Sequence, residues 1–187
     1  MRQGWDRGLT FEECLSSLQQ QLKFLLSADD LSAPNPKLTY LAVLLTQLLN
    51  GCRVGEAVSA VRGWLEDGEV TRAVRVEKRK DNKYRTVIVY DKIPRAALDI
   101  NSLKVTNVKV YANRLGLNTH TLRYAFITRL LKDGHSPAVI AKITGHKRID
   151  QLITYVQARE AEEILKNFVP GACGSPSADG HTLQAKK

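Results

Sequence analysis

The stretch that decides the fold runs from residue 119 to residue 155 and reads THTLRYAFITRLLKDGHSPAVIAKITGHKRIDQLITY. His120 and Arg123 lie three residues apart, so a helix would place both on one face. His146 follows Arg123 by 23 residues, and Tyr155 follows His146 by nine. Cations that bracket a tyrosine, without a cluster of metal ligands, favour a phosphate site with a phenolic nucleophile.

Cap signals at the start of this stretch predict where its first helix begins. Asn118 or Thr119 can cap a helix whose first turn holds the histidine and the arginine of the HTLR segment. Free amides and the helix dipole favour an anion at such a position. Gly134 is expected to end this helix.

Two further helices follow in the prediction. A Ser-Pro pair at 136–137 begins a short helix, which Gly145 ends just before the TGH histidine. A last helix covers about 158–169, and it can pack either in its own domain or on a neighbouring subunit. The segment 170–187 is rich in Gly, Ser, Pro and Ala, which is typical of a disordered tail.

Two leucine-rich amphipathic helices precede this region. Thr10 and Glu13 are the ends of a capping box, which predicts a helix over 11–27. An Asn-Pro pair at 35–36 is typical of the cap and first position of a second helix. Gly51 can end that helix in a left-handed turn.

Arg53 follows the second helix directly and opens a predicted short helix that reaches about Val61. An arginine beside a buried helix is costly unless it is paired. Glu56, three residues on, lies on the same helical face and can supply that pair. A pairing Glu56 could also hold the guanidinium ready for a ligand.

A β-hairpin with a basic tip is predicted between residues 69 and 90. Apolar residues alternate imperfectly with polar ones over 69–77, and residues 84–90 are rich in β-branched side chains. Residues 80–83 between them are typical of a turn. Such a tip can reach a phosphate backbone or groove, although a soluble hairpin decorated with lysine has the same composition. The candidate DNA-binding cations here are Arg72, Arg75, Lys78, Arg79, Lys83 and Arg85, with Lys80 at the turn.

The net charge of +9 is concentrated in the middle of the chain. Residues 101–150 hold nine Lys or Arg against two Asp or Glu. This asymmetry is typical of a protein with a polyanionic partner, nucleic acid first, and equally of a solvated basic face with no partner.

Cysteine usage and hydropathy exclude several classes of protein. Cys14, Cys52 and Cys173 are odd in number and far apart, which argues against a disulfide framework and a structural zinc. The longest apolar run, 41–49, is too short to span a bilayer. The N-terminus shows no apolar signal region, so we expect an intracellular protein.

These segments together resemble the catalytic domain of the tyrosine recombinases, the phage integrase family. The matching pieces are NGCRVGEA, KDNKYR between two predicted strands, HTLR, TGH, and Tyr155 nine residues past that histidine. The resemblance runs from about residue 10 to residue 169. It implies an α+β fold, mostly helical, with a small antiparallel β-hairpin or three-stranded sheet.

The resemblance also implies a role for each matching residue. Glu56 resembles the acidic residue that supports the first arginine, and Lys80 is preferred over Lys83 as the hairpin lysine. The family often has a second histidine after its second arginine, where this chain has Tyr124. The implied catalytic residues are Arg53, Lys80, His120, Arg123, His146 and Tyr155, and Lys147 and Arg148 join the candidate DNA-binding cations.

The implied activity is site-specific recombination of double-stranded DNA through a 3′-phosphotyrosine intermediate, with no metal, ATP or other cofactor. The implied assembly is a tetramer on DNA, without membrane association, in the cytoplasm near the nucleoid of a prokaryote or in a viral context. The alternatives are a catalytically idle DNA-binding module, a C-terminal fragment of a split integrase, and a type IB topoisomerase-like nicking-closing enzyme.

Domain organisation is predicted from the same resemblance. We expect an extension over 1–9, a catalytic domain over 10–169 and a tail over 170–187. Family members usually carry a separate N-terminal DNA-binding domain, and residues 1–9 are too few to form it. The expectation is therefore an excised catalytic domain, a minimal enzyme or the product of a split gene.

Overall fold

The computed structural model describes residues 8–28, 33–78, 80–149 and 152, all of them within one compact unit, 1–155. The described part is mostly helical with one two-stranded antiparallel sheet, which confirms the predicted α+β class. Its elements are α1 (Phe11–Ala28), α2 (Pro36–Asn50), α3 (Val54–Asp67), β1 (Thr71–Arg75), β2 (Tyr84–Ile88), α4 (Val105–Arg114), α5 (Thr119–Lys132) and α6 (Pro137–Thr144).

Helix α2 is the centre of the core and packs against α1, α3, α4 and α5. Its side chains from position 38 to position 48 are buried, except that of Tyr40, which is partly buried. Burial of its leucines contributes roughly 10 kcal/mol as an upper estimate. These fully buried leucines are Leu38, Leu41, Leu44, Leu45 and Leu48.

The predicted helix caps at the N-terminal end are confirmed. Thr10 N donates to Glu13 Oε2 at 2.7 Å, and Glu13 N donates to Thr10 Oγ1 at 3.2 Å. Asn35 caps α2 by accepting from Lys37 N, and Pro36 is its first residue. These three bonds satisfy amides that have no partner inside a helix.

The hairpin is fixed to α2 by a side chain at the end of that helix. Asn50 Nδ2 donates to Ile88 O at 2.8 Å, and Ile88 N donates to Asn50 Oδ1 at 2.9 Å. Thr46 Oγ1 accepts from Tyr90 N at 3.0 Å. The pairing runs from Thr71 opposite Ile88 to Arg75 opposite Tyr84, and residues 80–83 of the turn are exposed.

Three elements differ from the sequence prediction. Helix α3 continues to Asp67 rather than ending near Val61, because Trp64 adds one more buried position before Gly68 turns left-handed at φ +88. The strands are shorter than predicted. Over 94–115, where the sequence pattern predicts one or two helices, the chain forms the 3₁₀ turns Arg95–Ala97 and Ile100–Ser102 before α4 begins.

Among the described helices, none is long and apolar enough to cross a membrane.

Candidate active site

Arg53 is the residue immediately before α3, so its side chain stands at the N-terminal end of that helix. Its Nη1 lies 3.2 Å from Glu56 Oε1, and its backbone N donates to Glu56 Oε2 at 3.0 Å. The side chain of Arg53 stays 25% exposed while that of Glu56 is fully buried. The predicted ion pair is confirmed, and it leaves part of the arginine accessible to a ligand.

Glu56 joins three parts of the structure through its two carboxylate oxygens. Besides Arg53, Oε1 accepts from Glu77 N at 3.0 Å, at the end of β1. Arg85 Nη1 lies 3.5 Å from Oε2. A buried carboxylate is tolerated because donors surround it. Glu56 therefore connects the first arginine of the site to the hairpin.

Arg85 does not point toward solvent, and its predicted DNA contact is wrong. The residue is 7% exposed, on the inward face of β2 with Val87. Its Nη2 donates to Asn50 O at 2.6 Å, in addition to the ion pair with Glu56. Arg85 thus supports the site from inside the protein, because its charge is enclosed by these partners.

Arg123 lies in the first two turns of α5 and is 5% exposed. Its Nη1 donates to Gly51 O at 2.6 Å, and its Nη2 donates to Thr144 O at 3.0 Å. The same Nη2 lies 3.0 Å from His146 Nε2. These contacts fix the plane of the guanidinium, which brings Arg123 and His146 together as the spacing predicted.

Gly51 makes this arrangement possible, and Gly51→Ala is predicted to destabilise the protein. Its φ is +55, and a Cβ at this position would clash with Cδ1 of the Phe126 ring. The backbone strain and the clash together cost roughly 2 kcal/mol or more. Urea denaturation checks this value. Gly116→Ala is the matched control, since Gly116 has φ +72 with nothing within 4 Å of its Cβ position. An equal loss in the free energy of unfolding for Gly51→Ala and Gly116→Ala would contradict the predicted clash.

His146 follows α6 and is partly buried beside Arg123. Burial, followed by the positive charges of Arg123, Arg53 and Arg85, lowers the pKa of His146 to about 3. The ring is therefore neutral at physiological pH and can accept a proton or a hydrogen bond. A bound phosphodiester would counter these charges and raise this pKa.

His120, in the first turn of α5, is exposed but stands in the same positive field. Partial desolvation of the ring lowers its pKa, and the charges of Lys109, Lys78, Arg123 and Arg53 lower it further. The cations that surround His120 come from α4, α5, the turn after β1 and the start of α3. The site is thus arranged to receive an anion.

Stability is predicted to fall as pH drops from about 7, because the neutral His146 must charge on unfolding. In the unfolded chain histidine binds a proton below about pH 6.5, whereas the folded ring stays neutral down to about 3. The contribution of the neutral His146 ring to the free energy of unfolding is therefore present above about pH 6.5 and is lost progressively below it. Unfolding measured between pH 7 and pH 5.5 should show a weaker pH dependence in His146→Gln. His135→Gln, at an exposed histidine, is the control and should keep the wild-type dependence.

The other predicted cations lie on the surface, with one partial exception. Arg72 is 25% exposed and is paired with Asp67, at 2.7 Å from Nη1 to Oδ1. Lys78, in the turn three residues after β1, has a left-handed φ of 61 and is close enough to His120 to lower the pKa of that histidine. The exposed predicted cations are Arg75, Lys78, Lys80, Lys83, Lys147 and Arg148. Arg79 and Tyr155 lie outside the described residues.

Two residues near the site were missed by sequence reasoning. Lys109 on α4 contributes charge at His120, and its exposed position in a helix pattern gave only a weak signal. Thr144 contacts both Arg123 and His146, which depends on the left-handed turn at Gly145 (φ 72) and has no separate sequence motif.

The donor set of the site suits an anion better than a metal ion. In the part of the chain that the structure describes, no group of three or more His, Cys, Asp or Glu is placed to hold a metal. The side chains that converge are two guanidiniums and two imidazoles, and Glu56 is already enclosed by its own donors. Cys52 is buried, and burial raises its pKa to about 12, so it is no competing nucleophile.

Comparisons with known proteins give the same answer as the geometry. A model of the phage integrase family matches residues 101–162. The chain is 38% identical over 171 residues to the putative integrase ORF241 of Acidianus two-tailed virus, covering 88% of this chain and 68% of the viral protein.

Solved structures establish the fold. A crystal structure of the XerH site-specific recombinase bound to palindromic difH substrate, a post-cleavage complex, matches with a TM-score of 0.52 and 18% identity over 86% of this chain. The XerA recombinase matches with a TM-score of 0.50 and 18% identity over 83% of this chain. The chain spans 52% of the XerH chain and 64% of the XerA chain. The resemblance and the fold predicted from the sequence are confirmed, and the chain belongs to the phage integrase family, the tyrosine recombinases that break and rejoin DNA.

Proposed function

We propose that this chain carries the catalytic centre of a site-specific DNA recombinase, with Tyr155 as the nucleophile. The observation that supports this most is the separate anchoring of two arginines around one site. Arg53 is held by Glu56, and Arg123 is held by the carbonyls of Gly51 and Thr144. Cations held in place before the substrate arrives stabilise the charge that develops on a phosphodiester in the transition state.

The chemistry follows from these positions. Arg53 and Arg123 bind the nonbridging oxygens of the scissile phosphate, because guanidiniums form paired hydrogen bonds to such oxygens. The phenol of Tyr155 would titrate near 10 without help. A neutral histidine, His146 or His120, accepts its proton as the oxygen attacks phosphorus.

The bond to the 5′ oxygen breaks as the bond to the tyrosine oxygen forms, and Lys80 gives the leaving oxygen a proton. The product is a 3′-phosphotyrosine and a free 5′-hydroxyl. A 5′-hydroxyl from another strand then attacks the same phosphorus and releases the tyrosine. The number of phosphoester bonds is unchanged, so the cycle needs neither ATP nor a metal.

We also propose which residues contact DNA, how many copies assemble and where the catalytic domain begins and ends. We assign backbone contacts to cations of the hairpin and of the segment after His146, because phosphate contacts position a protein on DNA. The catalytic domain would cover 10–169, and four copies would assemble on two duplexes. The expected setting is the nucleoid or a viral genome in the cytoplasm. The DNA-contact residues are Arg72, Arg75, Lys78, Arg79, Lys83, Lys147 and Arg148.

The test uses a pool of duplexes that carry a nick and a randomised sequence around it. A short fragment diffuses away after cleavage and traps the covalent complex, which a denaturing gel separates. We expect an adduct with wild type, none with Tyr155→Phe, and no effect of EDTA. Addition of a 5′-hydroxyl strand should reseal the trapped DNA.

The alternatives give different results in the same experiment. An idle DNA-binding module forms no adduct on any sequence in the pool. A type IB topoisomerase-like enzyme relaxes supercoiled plasmid without sequence selection from the pool. An adduct that Tyr155→Phe also forms would show that the nucleophile is another residue.

A further inference from the structure

Thr144, the last residue of α6, contacts two members of the site with two different groups. Its backbone carbonyl accepts from Arg123 Nη2 at 3.0 Å. Its hydroxyl oxygen lies 2.6 Å from His146 Nδ1 and 2.6 Å from the carbonyl oxygen of Ile140. The residue is fully buried, so water does not compete for these bonds.

The direction of every hydrogen bond in this chain follows from its two ends. Arg123 can only donate, and its Nη2 lies 3.0 Å from His146 Nε2 and 3.4 Å from His146 Nδ1, so the shorter contact requires a lone pair on Nε2. The carbonyl of Ile140 can only accept, so the single hydroxyl hydrogen of Thr144 points to it. The hydroxyl oxygen must then accept from His146 Nδ1, which carries the ring proton.

We propose that Thr144 is a positioning residue that holds His146 as the neutral Nδ1–H tautomer, with Nε2 as the nitrogen that faces the reacting groups. The hydrogen bonds run in one direction, from Arg123 through His146 and Thr144 to Ile140. The tautomer assignment stands on these contacts alone. Its catalytic consequence rests on the proposed recombinase function.

The local backbone explains why a threonine can do this. Gly145 has φ 72, and this left-handed turn brings residues 144 and 146 to the same side. A Cβ at Gly145 would lie 2.9 Å from Cγ1 of Val76, so the turn is also packed against the hairpin. The backbone turn therefore places the Thr144 hydroxyl within hydrogen-bond distance of the His146 ring.

The tautomer decides what His146 contributes to the reaction. With the proton on Nδ1, the single lone pair of Nε2 accepts from Arg123 in the free protein and becomes available to the Tyr155 phenol once Arg123 donates to the phosphate instead. In the proton transfer the phenolic O–H bond breaks, an Nε2–H bond forms, the hydrogen bond from Arg123 to Nε2 is released, and the Nδ1–H bond to Thr144 persists. The imidazolium then stands among Arg123, Arg53 and Arg85, and the charge of the bound phosphate offsets theirs.

Nitrogen-15 NMR of the histidine rings tests the tautomer without any DNA. The two ring nitrogens differ in chemical shift according to which one carries the proton, and His146→Gln identifies the signal. We expect wild type to show a protonated Nδ1 and a bare Nε2 at neutral pH. Thr144→Ser should keep this state, and Thr144→Val should convert it to a mixture. A protonated Nε2 in wild type, or an unchanged single tautomer in Thr144→Val, overturns the proposal.

Single-turnover cleavage tests the consequence. Loss of one hydrogen bond to the ring in Thr144→Val should slow cleavage about tenfold, with DNA affinity unchanged and the rate restored in Thr144→Ser. Thr128→Val is the matched control and should cleave at the wild-type rate. Thr128 is a buried threonine whose hydroxyl has no hydrogen-bond partner among the described residues.

The two experiments separate a failure of the recombinase function from a failure of the positioning role of Thr144. Absence of any adduct from wild type contradicts the recombinase function, while the NMR result still decides the tautomer. Normal cleavage by Thr144→Val contradicts the positioning role while the recombinase function stands.

Discussion

Arg123→Lys is expected to reduce the rate of DNA cleavage by roughly a thousandfold, since the loss of one preorganised donor to a developing oxyanion costs about 10²–10³. Arg123 is 5% exposed and spans from Gly51 O to Thr144 O with two different nitrogens. A lysine ammonium has a single nitrogen, so it cannot keep both carbonyl contacts and still bind a phosphate bidentately. Single-turnover cleavage measures the loss, and binding to uncleaved DNA should change far less.

The matched control is Arg129→Lys on the same helix. Arg129 is exposed and pairs with Glu12 and with Asp133, away from the carbonyls that hold Arg123. We expect cleavage within about twofold of wild type, because exposed ion pairs contribute little. If both variants cleave equally well, Arg123 does not bind the reacting phosphate.

Glu56→Gln is expected to lower the free energy of unfolding by about 3–5 kcal/mol, which is the usual cost of removing one partner of a buried ion pair. The side chain of Glu56 is fully buried, and that of Arg85 is 3% exposed. A glutamine keeps the shape but leaves the arginine charge without a counter-charge. It also places an amide donor against the donors of Arg53 and Glu77. Urea denaturation measures the loss.

Two further variants separate the ion pair from other effects. Glu66→Gln changes an exposed glutamate of the same helix and should alter stability by about 0.5 kcal/mol or less. In an Arg85→Met background, Glu56→Gln should cost at least about 1 kcal/mol less than in wild type. If the losses in the free energy of unfolding simply add in the double variant, Glu56 and Arg85 do not stabilise each other.

The same change should affect catalysis through Arg53. Glu56 is the group that joins Arg53 to the hairpin, by way of Glu77 N. Because the hairpin carries the lysine proposed to protonate the leaving oxygen, loss of Glu56 disturbs both sides of the phosphate. A cleavage assay run well below the melting temperature separates this effect from unfolding.

Motif spacing in the sequence was enough to predict which side chains lie close together around the candidate site. Arg53 and Glu56 are one helical turn apart, and the structure confirms their ion pair. Arg123 and His146 come from separate segments, and the structure brings them to 3.0 Å. These predictions succeed because each residue sits next to a strong local signal, a helix start or a glycine turn.

Arg85 shows where such reasoning failed. It alternates with exposed Tyr84 and Thr86 and shares the inward face with Val87, so the strand period places it inside. Its charge instead predicted an exposed side chain, because burial of an arginine is favourable only when partners enclose it. Those partners, Glu56 and the carbonyl of Asn50, are far away in the sequence.

Thr144 was beyond prediction for a different reason. Its role depends on the rotamer of a hydroxyl and on the turn at Gly145, which carries His146 back toward α6. Neither is encoded in a spacing rule. The length of α3 similarly depended on Trp64, which extends the helix only because the core has room for its side chain.

The most direct test of the whole account is the identity of the residue that becomes bound to DNA. The adduct trapped from the nicked pool can be digested with nuclease and protease and sequenced by mass spectrometry. We expect a 3′-phosphonucleotide on the peptide that contains Tyr155, present in wild type and strongly reduced in Arg123→Lys. A nucleotide on any other residue, or an adduct that forms equally well without Arg123, would contradict it.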